Sequence, residues 1–165
     1  MLFRSLLEML KQLGGGGSRI SVQHDGVDLR VFRGELNVLK TGKRKDFKSL
    51  AWKGEPRLSL PALDGELRCK RVRGRGIDCA LLKSNAFQIR LRSGGERLKP
   101  DARRPSRTLK NLFQEAGVPP WERARLPLIF RGNDLVWAPG LGVDAKYVSA
   151  GRAPGVVPDW HPFSS

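Results

Sequence analysis

The side chains with chemistry to offer are cationic, and they are densest between Phe87 and Gly117. Arg90, Arg92, Arg97, Lys99, Arg103, Arg104, Arg107 and Lys110 all fall there, with Arg123 and Arg125 shortly after. An earlier cluster, Arg71-Val-Arg-Gly-Arg75, adds Arg71, Arg73 and Arg75. Guanidinium groups fork onto pairs of phosphate oxygens and an ammonium meets them as a point charge, so the chemistry on offer is the holding of a polyanion. Catalytic sets are not evident. His24 and His161 lack a second ligand at metal spacing, and Cys69 and Cys79 are too few for a metal cage or a disulfide framework. No serine–histidine–acid set or catalytic carboxylate pair stands out, which leaves general acid–base chemistry without a seat.

The elements that must position these cations can be read from periodicity. Phe87, Ile89 and Leu91 alternate with Gln88, Arg90 and Arg92, the pattern of a half-buried strand. A turn at Ser93-Gly94-Gly95, in which glycine permits positive φ, leads to a second short strand and a basic loop, making a strand–turn–strand hairpin. Leu109, Leu112, Phe113 and Ala116 then define one face of a helix, with Ser106 placed as its cap and Gly117, Pro119 and Pro120 as its stop. The cations lie off the apolar faces, and the helix N-terminus adds partial positive charge beside Arg103, Arg104 and Arg107. Leu126–Phe130 and Leu135–Ala138 form a hairpin about Gly132-Asn-Asp, and Trp121 reads as a core anchor. Tyr147 and Val148 begin a last edge strand. Residues 151–165 are a tail rich in proline and glycine whose end frays, with Trp160 pinning it back on the sheet.

Before Phe87 the chain reads as a separate module. Residues 1–13 form an amphipathic helix with Leu2, Leu6, Leu10 and Leu13 along one stripe, suited to docking on the sheet that follows. Residues 14–18, Gly-Gly-Gly-Gly-Ser, are a flexible tether, native or engineered. Residues 19–85 are strand-rich, with turn signals at Asp25-Gly26 and Gly34-Glu35 and a basic connection at Lys40–Lys45, which is either a solvated loop or a phosphate contact. Trp52, Leu58 and Leu60 belong to the core. Glu66–Leu82 is expected to be a hairpin turning at residues 73–76, which would set Cys69 opposite Cys79 as two reduced thiols in a sheet. The boundary falls at Lys83–Ala86, and residues 86–150 make the second module. The fold class is therefore α+β: two small modules, each a mainly antiparallel sheet with one or two packed helices.

With 165 residues and 39% hydrophobic content the chain can bury modest cores. Its 31 Lys and Arg against 16 Asp and Glu leave a net charge of +15, which implies a polyanionic partner. The excess is spread over the chain: 18 basic and 9 acidic residues precede Ala86, and 13 and 7 follow. No stretch approaches the ~20 apolar residues that span a bilayer. Cytoplasm is the expected location, with no membrane partner.

Arg90-Leu-Arg-Ser-Gly-Gly-Glu-Arg-Leu98, then Leu109 through Val118-Pro-Pro-Trp-Glu-Arg-Ala-Arg-Leu-Pro-Leu128, then Leu135-Val-Trp-Ala-Pro-Gly-Leu-Gly-Val-Asp144, resemble the C-terminal domain of bacterial tRNA(Ile)-lysidine synthetases over roughly residues 87–148. The preceding part resembles the substrate-recognition domain of the same enzymes. The resemblance implies the tRNA-gripping portion of an ATP-dependent ligase that couples lysine to a wobble cytidine. The partner it implies is an isoleucine tRNA with a CAU anticodon, held by its acceptor stem. ATP and Mg would be used by a catalytic domain this chain does not contain, leaving no cofactor here and no catalysis by the chain alone. The matched positions include Arg90, Arg92, Arg97, Lys110, Arg123 and Arg125, with Arg97 and Arg123 also candidates for ion pairing to Glu96 or Glu122. Those enzymes carry a Ser-Gly-Gly-x-Asp-Ser loop that holds pyrophosphate. Here Glu96, Arg97 and Leu98 follow Gly95, so the motif fails and ATP binding at Ser93 is not expected. The rival readings are a general structured-RNA-binding protein, a protein–protein interaction module and an autonomous ligase.

Overall fold

The computed structural model describes residues 21–24, 27–40, 46–84 and 86–163. The chain divides into two compact units, residues 1–44 and 45–165. The expected N-terminal helix, the glycine tether and most of the basic connection at Lys40–Lys45 lie outside the described residues.

The first unit contains an antiparallel meander of β1 (Ser21–His24), β2 (Val27–Phe32) and β3 (Glu35–Lys40). Phe32 pairs with Glu35, so the β2–β3 loop is only Arg33 and Gly34. Both have positive φ, 51° and 81°, the twist-matched turn that two-residue hairpins demand. Buried Asp28 accepts a hydrogen bond from Arg30 Nε at 2.7 Å.

The second unit opens with β4 (Leu50–Ala51), β5 (Arg57–Leu60), a single 3-10 turn (Pro61–Leu63), β6 (Gly65–Arg73), β7 (Ile77–Asp78) and the one-turn helix α1 (Cys79–Leu82). Then come β8 (Phe87–Arg90), β9 (Arg97–Leu98), β10 (Arg107–Thr108), α2 (Leu109–Glu115), α3 (Pro120–Arg123), β11 (Leu128–Arg131), β12 (Asp134–Ala138) and β13 (Gly142–Val143). A second 3-10 turn (Ala145–Tyr147) and β14 (Pro154–Pro162) complete it. The strands form a five-stranded sheet in the order β13-β12-β11-β8-β4, a four-stranded sheet in the order β5-β6-β14-β7, and the pair β9–β10. All the pairings are antiparallel, so the α+β class holds.

The five-stranded sheet is buried on both faces, which is why β11 and β12 read as unbroken apolar runs. On one side Phe87, Ile89, Ile129 and Val136 pack with Trp52, Leu60, Leu67, Ile77 and Val156 from the segments around the four-stranded sheet. On the other, Leu128, Phe130, Leu135 and Ala138 pack with Leu98, Leu109 and Phe113. Trp52 and Tyr147 meet Phe87 edge-on, with ring centroids 6.1 and 6.5 Å away. Trp121 is only half-buried and lies outside these clusters.

Several expectations need correction. No boundary falls at Lys83–Ala86: β4 pairs with β8 across it, and one core draws residues from both sides. Glu66–Leu82 is not a hairpin, because β14 lies between β6 and β7, and Cys79 opens α1 instead of facing Cys69. Burial pushes the Cys69 thiol up to about 12, against the opposing pull of the Trp52 N–H. Ser93–Glu96 does not turn a hairpin either, since β8 and β9 belong to different sheets. The cap of α2 is Thr108, whose Oγ1 accepts from Asn111 N at 3.3 Å, and not Ser106. Tyr147 ends a 3-10 turn, and Val148 makes only an isolated bridge to Ile77. The helix stop is as expected: Val118 N–H reaches Phe113 O and Gly117 N–H reaches Gln114 O, with Gly117 at φ 74°.

The proline-rich tail is the largest surprise, because Pro154–Pro162 pairs with β6 over all nine residues. Its prolines fit for a geometric reason. Cys69 N–H points to Pro56 O, toward β5, so Pro158 opposite Cys69 occupies a position whose nitrogen faces away from β6. Pro154 and Pro162 share that parity, and no ladder bond to β6 is lost. Trp160 packs against the core and covers Gly65, where a Cβ would lie 2.4 Å from the indole. A Cβ on Gly155 would lie 1.9 Å from the Arg75 carbonyl oxygen, a backbone contact that cannot yield. Gly155→Ala is therefore expected to destabilise the unit by roughly 1–3 kcal/mol, read as a lowered urea midpoint with an unchanged slope. An unchanged midpoint would mean that the 73–76 turn is not braced on β14.

Candidate nucleic-acid interface

The turn after β6 is the most constrained basic element. Gly74 N–H donates to Ala153 O at 2.9 Å and Ser149 N–H donates to Gly76 O at 2.9 Å. Gly74, at φ 70°, leaves no room for a Cβ, which would sit 2.3 Å from Gly151 O. Arg71 and Arg73 project from the last turnless residues of β6, and Arg75 from the turn itself; all three are exposed. Arg152, which charge spacing did not single out, stands in the adjoining turn, and its carbonyl accepts from Arg73 Nη1 at 3.5 Å. Four arginines thus fall at one end of the four-stranded sheet.

The segment from Asp144 to Ser149 connects this cluster to the basic loop after β9. The Asp144 carboxylate accepts from Lys99 N–H at 2.8 Å and Ala145 N–H donates to Lys99 O at 2.7 Å. At the far end Val148 bridges Ile77 and Ser149 reaches Gly76. Lys99 is half-buried, while Arg103 and Arg104 are fully on the surface. Asp101 organises that loop, accepting from Arg103 N–H at 2.9 Å and standing 3.6 Å from Arg104 Nε.

The remaining sequence-derived candidates divide by their partners. Arg107 is held by both oxygens of Glu115, with Nη1 to Oε2 at 2.7 Å. Arg125 reaches Asp64 at 2.6 Å. Arg97 pairs with neither of the acids proposed for it; its guanidinium donates to Ser106 O at 2.6 Å and to Ser106 Oγ at 3.2 Å. Arg90 stacks 4.1 Å from the centre of the Phe130 ring and donates to Gly132 O. Arg123 is a correction to the candidate set. It is 6% exposed and its Nε donates to Val118 O at 2.7 Å, so its fork closes the helix exit and is not presented to a phosphate. Among the described residues, the side chains of Arg71, Arg75, Arg92, Lys99, Arg103 and Lys110 have no partner within the chain. The helix that carries Lys110 has only seven residues, so its dipole adds little.

The Ser-Gly-Gly turn is occupied from within. Glu96 Oε1 accepts from Ser93 N–H at 2.5 Å, from Gly94 N–H at 2.9 Å and from Ser93 Oγ at 3.2 Å. Burial pushes the Glu96 carboxyl up, but these donors outweigh it and hold the group below its ordinary value. Arg57 and then Arg68 lower Glu66, Arg107 lowers Glu115, and Tyr147 and Lys146 lower Asp134.

Fold and surface together define a class: an antiparallel α+β protein that offers unpaired cations on a braced frame. Residues 87–160, a little under half of the chain, match the family described as TilS substrate C-terminal domain. The tRNA(Ile)-lysidine synthase of Nitrosomonas europaea is 39% identical over 139 residues, which take in 84% of this chain and 30% of that protein. That of Ralstonia nicotianae is 40% identical over 105 residues, 64% of this chain and 21% of that protein. The chain therefore spans less than a third of the length of these curated relatives. A solved structure described as the crystal structure of TILS C-terminal domain matches at a TM-score of 0.53 and 22% identity, over 72% of this chain and 100% of that one, and so shares the fold. The resemblance drawn from Phe87 to Val148 is borne out and runs on to Trp160. No helix among the described residues is long and apolar enough to cross a membrane.

The four depressed carboxyls set the sign of an acid effect. A group whose folded pKa lies below its unfolded value stabilises the fold above the unfolded value and loses that contribution as pH falls through the folded one. The urea midpoint is expected to hold above about pH 5 and to fall below it. Glu96→Gln should lower the midpoint at neutral pH and make the acid fall shallower. A midpoint that rises on acidification would contradict these assignments.

Proposed function

We propose that this chain is the RNA-holding part of a tRNA(Ile)-lysidine synthase. It grips a tRNA by its sugar–phosphate backbone while a catalytic portion not spanned here uses ATP and Mg to join lysine to the wobble cytidine. The observation that carries the reading is the braced turn bearing Arg71, Arg73 and Arg75 beside Arg152, cations without acid partners on a backbone held in place. A-form RNA hides its major groove from side chains, so proteins hold it through phosphates and 2′-hydroxyls, and rigid presentation of guanidinium groups suits that task. Holding the tRNA by its acceptor stem would bring the anticodon to the catalytic portion, a positioning contribution to rate. The partner is an isoleucine tRNA with a CAU anticodon, the location is the cytoplasm, and the chain by itself makes no bond and needs no cofactor.

Binding of isoleucine tRNA, followed by fluorescence anisotropy as salt is raised, tests this directly. Log affinity should fall with log salt by about 0.7–0.9 per phosphate contact, and changing Arg71, Arg73 and Arg75 together to alanine should reduce that slope by about two. Salt-insensitive binding, or equal affinity for plain duplex RNA of the same length, would overturn the assignment.

A further inference from the structure

The β11–β12 hairpin and the segments packed against it form an open hollow of about 520 Å³ lined by Leu81, Ala86, Arg131, Gly132, Asp134, Lys146 and Tyr147. Its polar groups are arranged as complementary halves. Arg131 and Asp134 face one another across the hairpin as register partners, yet they form no ion pair. The Arg131 guanidinium lies 5.8 Å from the Phe87 ring centre and makes no hydrogen bond within the chain. Asp134 spends only one oxygen: Oδ2 accepts from Tyr147 OH at 2.6 Å and from Lys146 Nζ at 3.0 Å, while Oδ1 accepts nothing. These two donors anchor the carboxylate and keep it ionised. The hollow therefore offers a cation for an anion, an acceptor oxygen for hydroxyl or amino donors, and an apolar wall at Leu81 and Ala86.

We propose that this hollow receives the 3′-terminal nucleotide of the bound RNA, the 5′-phosphoryl group on Arg131 and Lys146 and the free 2′,3′-diol donating to Asp134 Oδ1. A terminal ribonucleotide carries an anion, a pair of neighbouring hydroxyl donors and a flat apolar face, the three complements of the lining. The two cations against one acid favour a ligand with net negative charge over a zwitterion. A carboxylate accepting from a ribose diol is a recognised way of reading ribose. An internal nucleotide has no free diol, so the hollow reads a strand end, and a free nucleoside 5′-monophosphate shares the same chemistry.

The inference rests on the RNA-binding reading, and the test separates the two. The full chain is titrated with a fluorescent RNA hairpin bearing the acceptor stem of isoleucine tRNA and ending in a 3′-diol, and with the same hairpin ending in a 2′,3′-dideoxy nucleotide. The diol form should bind about tenfold more tightly, the size of a single hydrogen bond to a charged group. That preference should vanish in Asp134→Asn and in Arg131→Gln, the latter a change that removes the phosphate ligand and leaves the Tyr147 and Lys146 contacts to Asp134 intact. Adenosine 5′-monophosphate should compete away the extra affinity of the diol form and leave the dideoxy form unaffected. Competition without any difference between the two hairpins would assign the hollow to free nucleotide and overturn the strand-end proposal. Equal binding of both hairpins without competition would overturn the hollow while leaving RNA binding in place, and no binding of either would overturn both.

Discussion

The ladder between β6 and β14 is the contact on which the rest of the second unit depends. It joins residues 65–73 to residues 154–162 and so closes a loop of some eighty residues that contains the five-stranded sheet and both its cores. Such a pairing costs chain entropy that only the burial it enables can repay. Leu67, Ile77 and Val156 lie on its inner face and are almost wholly out of water, each worth ~1.5–3 kcal/mol. The same ladder carries Gly155 under the Arg75 carbonyl and brings the 149–153 turn against Gly74. Core closure and the bracing of the arginine turn are one structural event.

What could be read from the sequence was what local chemistry determines. The helix at Leu109–Glu115 announced itself by the spacing of Leu109 and Phe113 and by Gly117, and the β11–β12 hairpin by its turn residues. The cap was misplaced by two positions because Ser106 and Thr108 both offer a hydroxyl before the same apolar run, and only the path of β10 decides between them. Larger errors arose where distant chain intervenes. Glycines at 74 and 76 look like a hairpin turn, but they are there because β14 inserts beside β6 and its neighbouring backbone leaves no space for a Cβ. Prolines at 154, 158 and 162 argue against a strand until their common parity is seen, and parity has meaning only once the partner strand is known.

Charge was legible in amount and not in allocation. Arg107 and Glu115 are close in sequence, yet the bidentate contact needs β10 and α2 folded back on each other, and Asp64 lies far upstream of the Arg125 it meets. Arg123 is drawn inward because the Pro119-Pro120 turn leaves the Val118 carbonyl for its Nε to donate to. Asp134 read as part of the Gly132-Asn-Asp turn, and nothing in its spacing from Arg131 announces a hollow whose other wall comes from Leu81 and Tyr147.

The cations consequently fall into three grades of availability, and the grade follows from what each would lose by turning to a phosphate. Arg90 and Arg123 are committed: releasing them strips a ring of its cation or leaves the half-buried Val118 carbonyl without its Arg123 donor, losses of the order of a whole hydrogen bond. Arg104, Arg107 and Arg125 sit in solvent-exposed ion pairs, which are worth about 0–1 kcal/mol and weaken with salt. Under the proposed function, an incoming phosphate would displace those carboxylates at little cost, and the pairs would serve as a reserve. Arg71, Arg75, Arg92, Lys99, Arg103 and Lys110 have nothing to give up. Of these, Arg75 alone stands on a turn whose backbone is locked by both of its neighbours, so ordering it on a ligand costs only side-chain entropy. Under the proposed function, an interface built this way would gain its first contacts where pre-organisation is greatest and recruit the paired arginines only when the partner's shape brings phosphates within their reach.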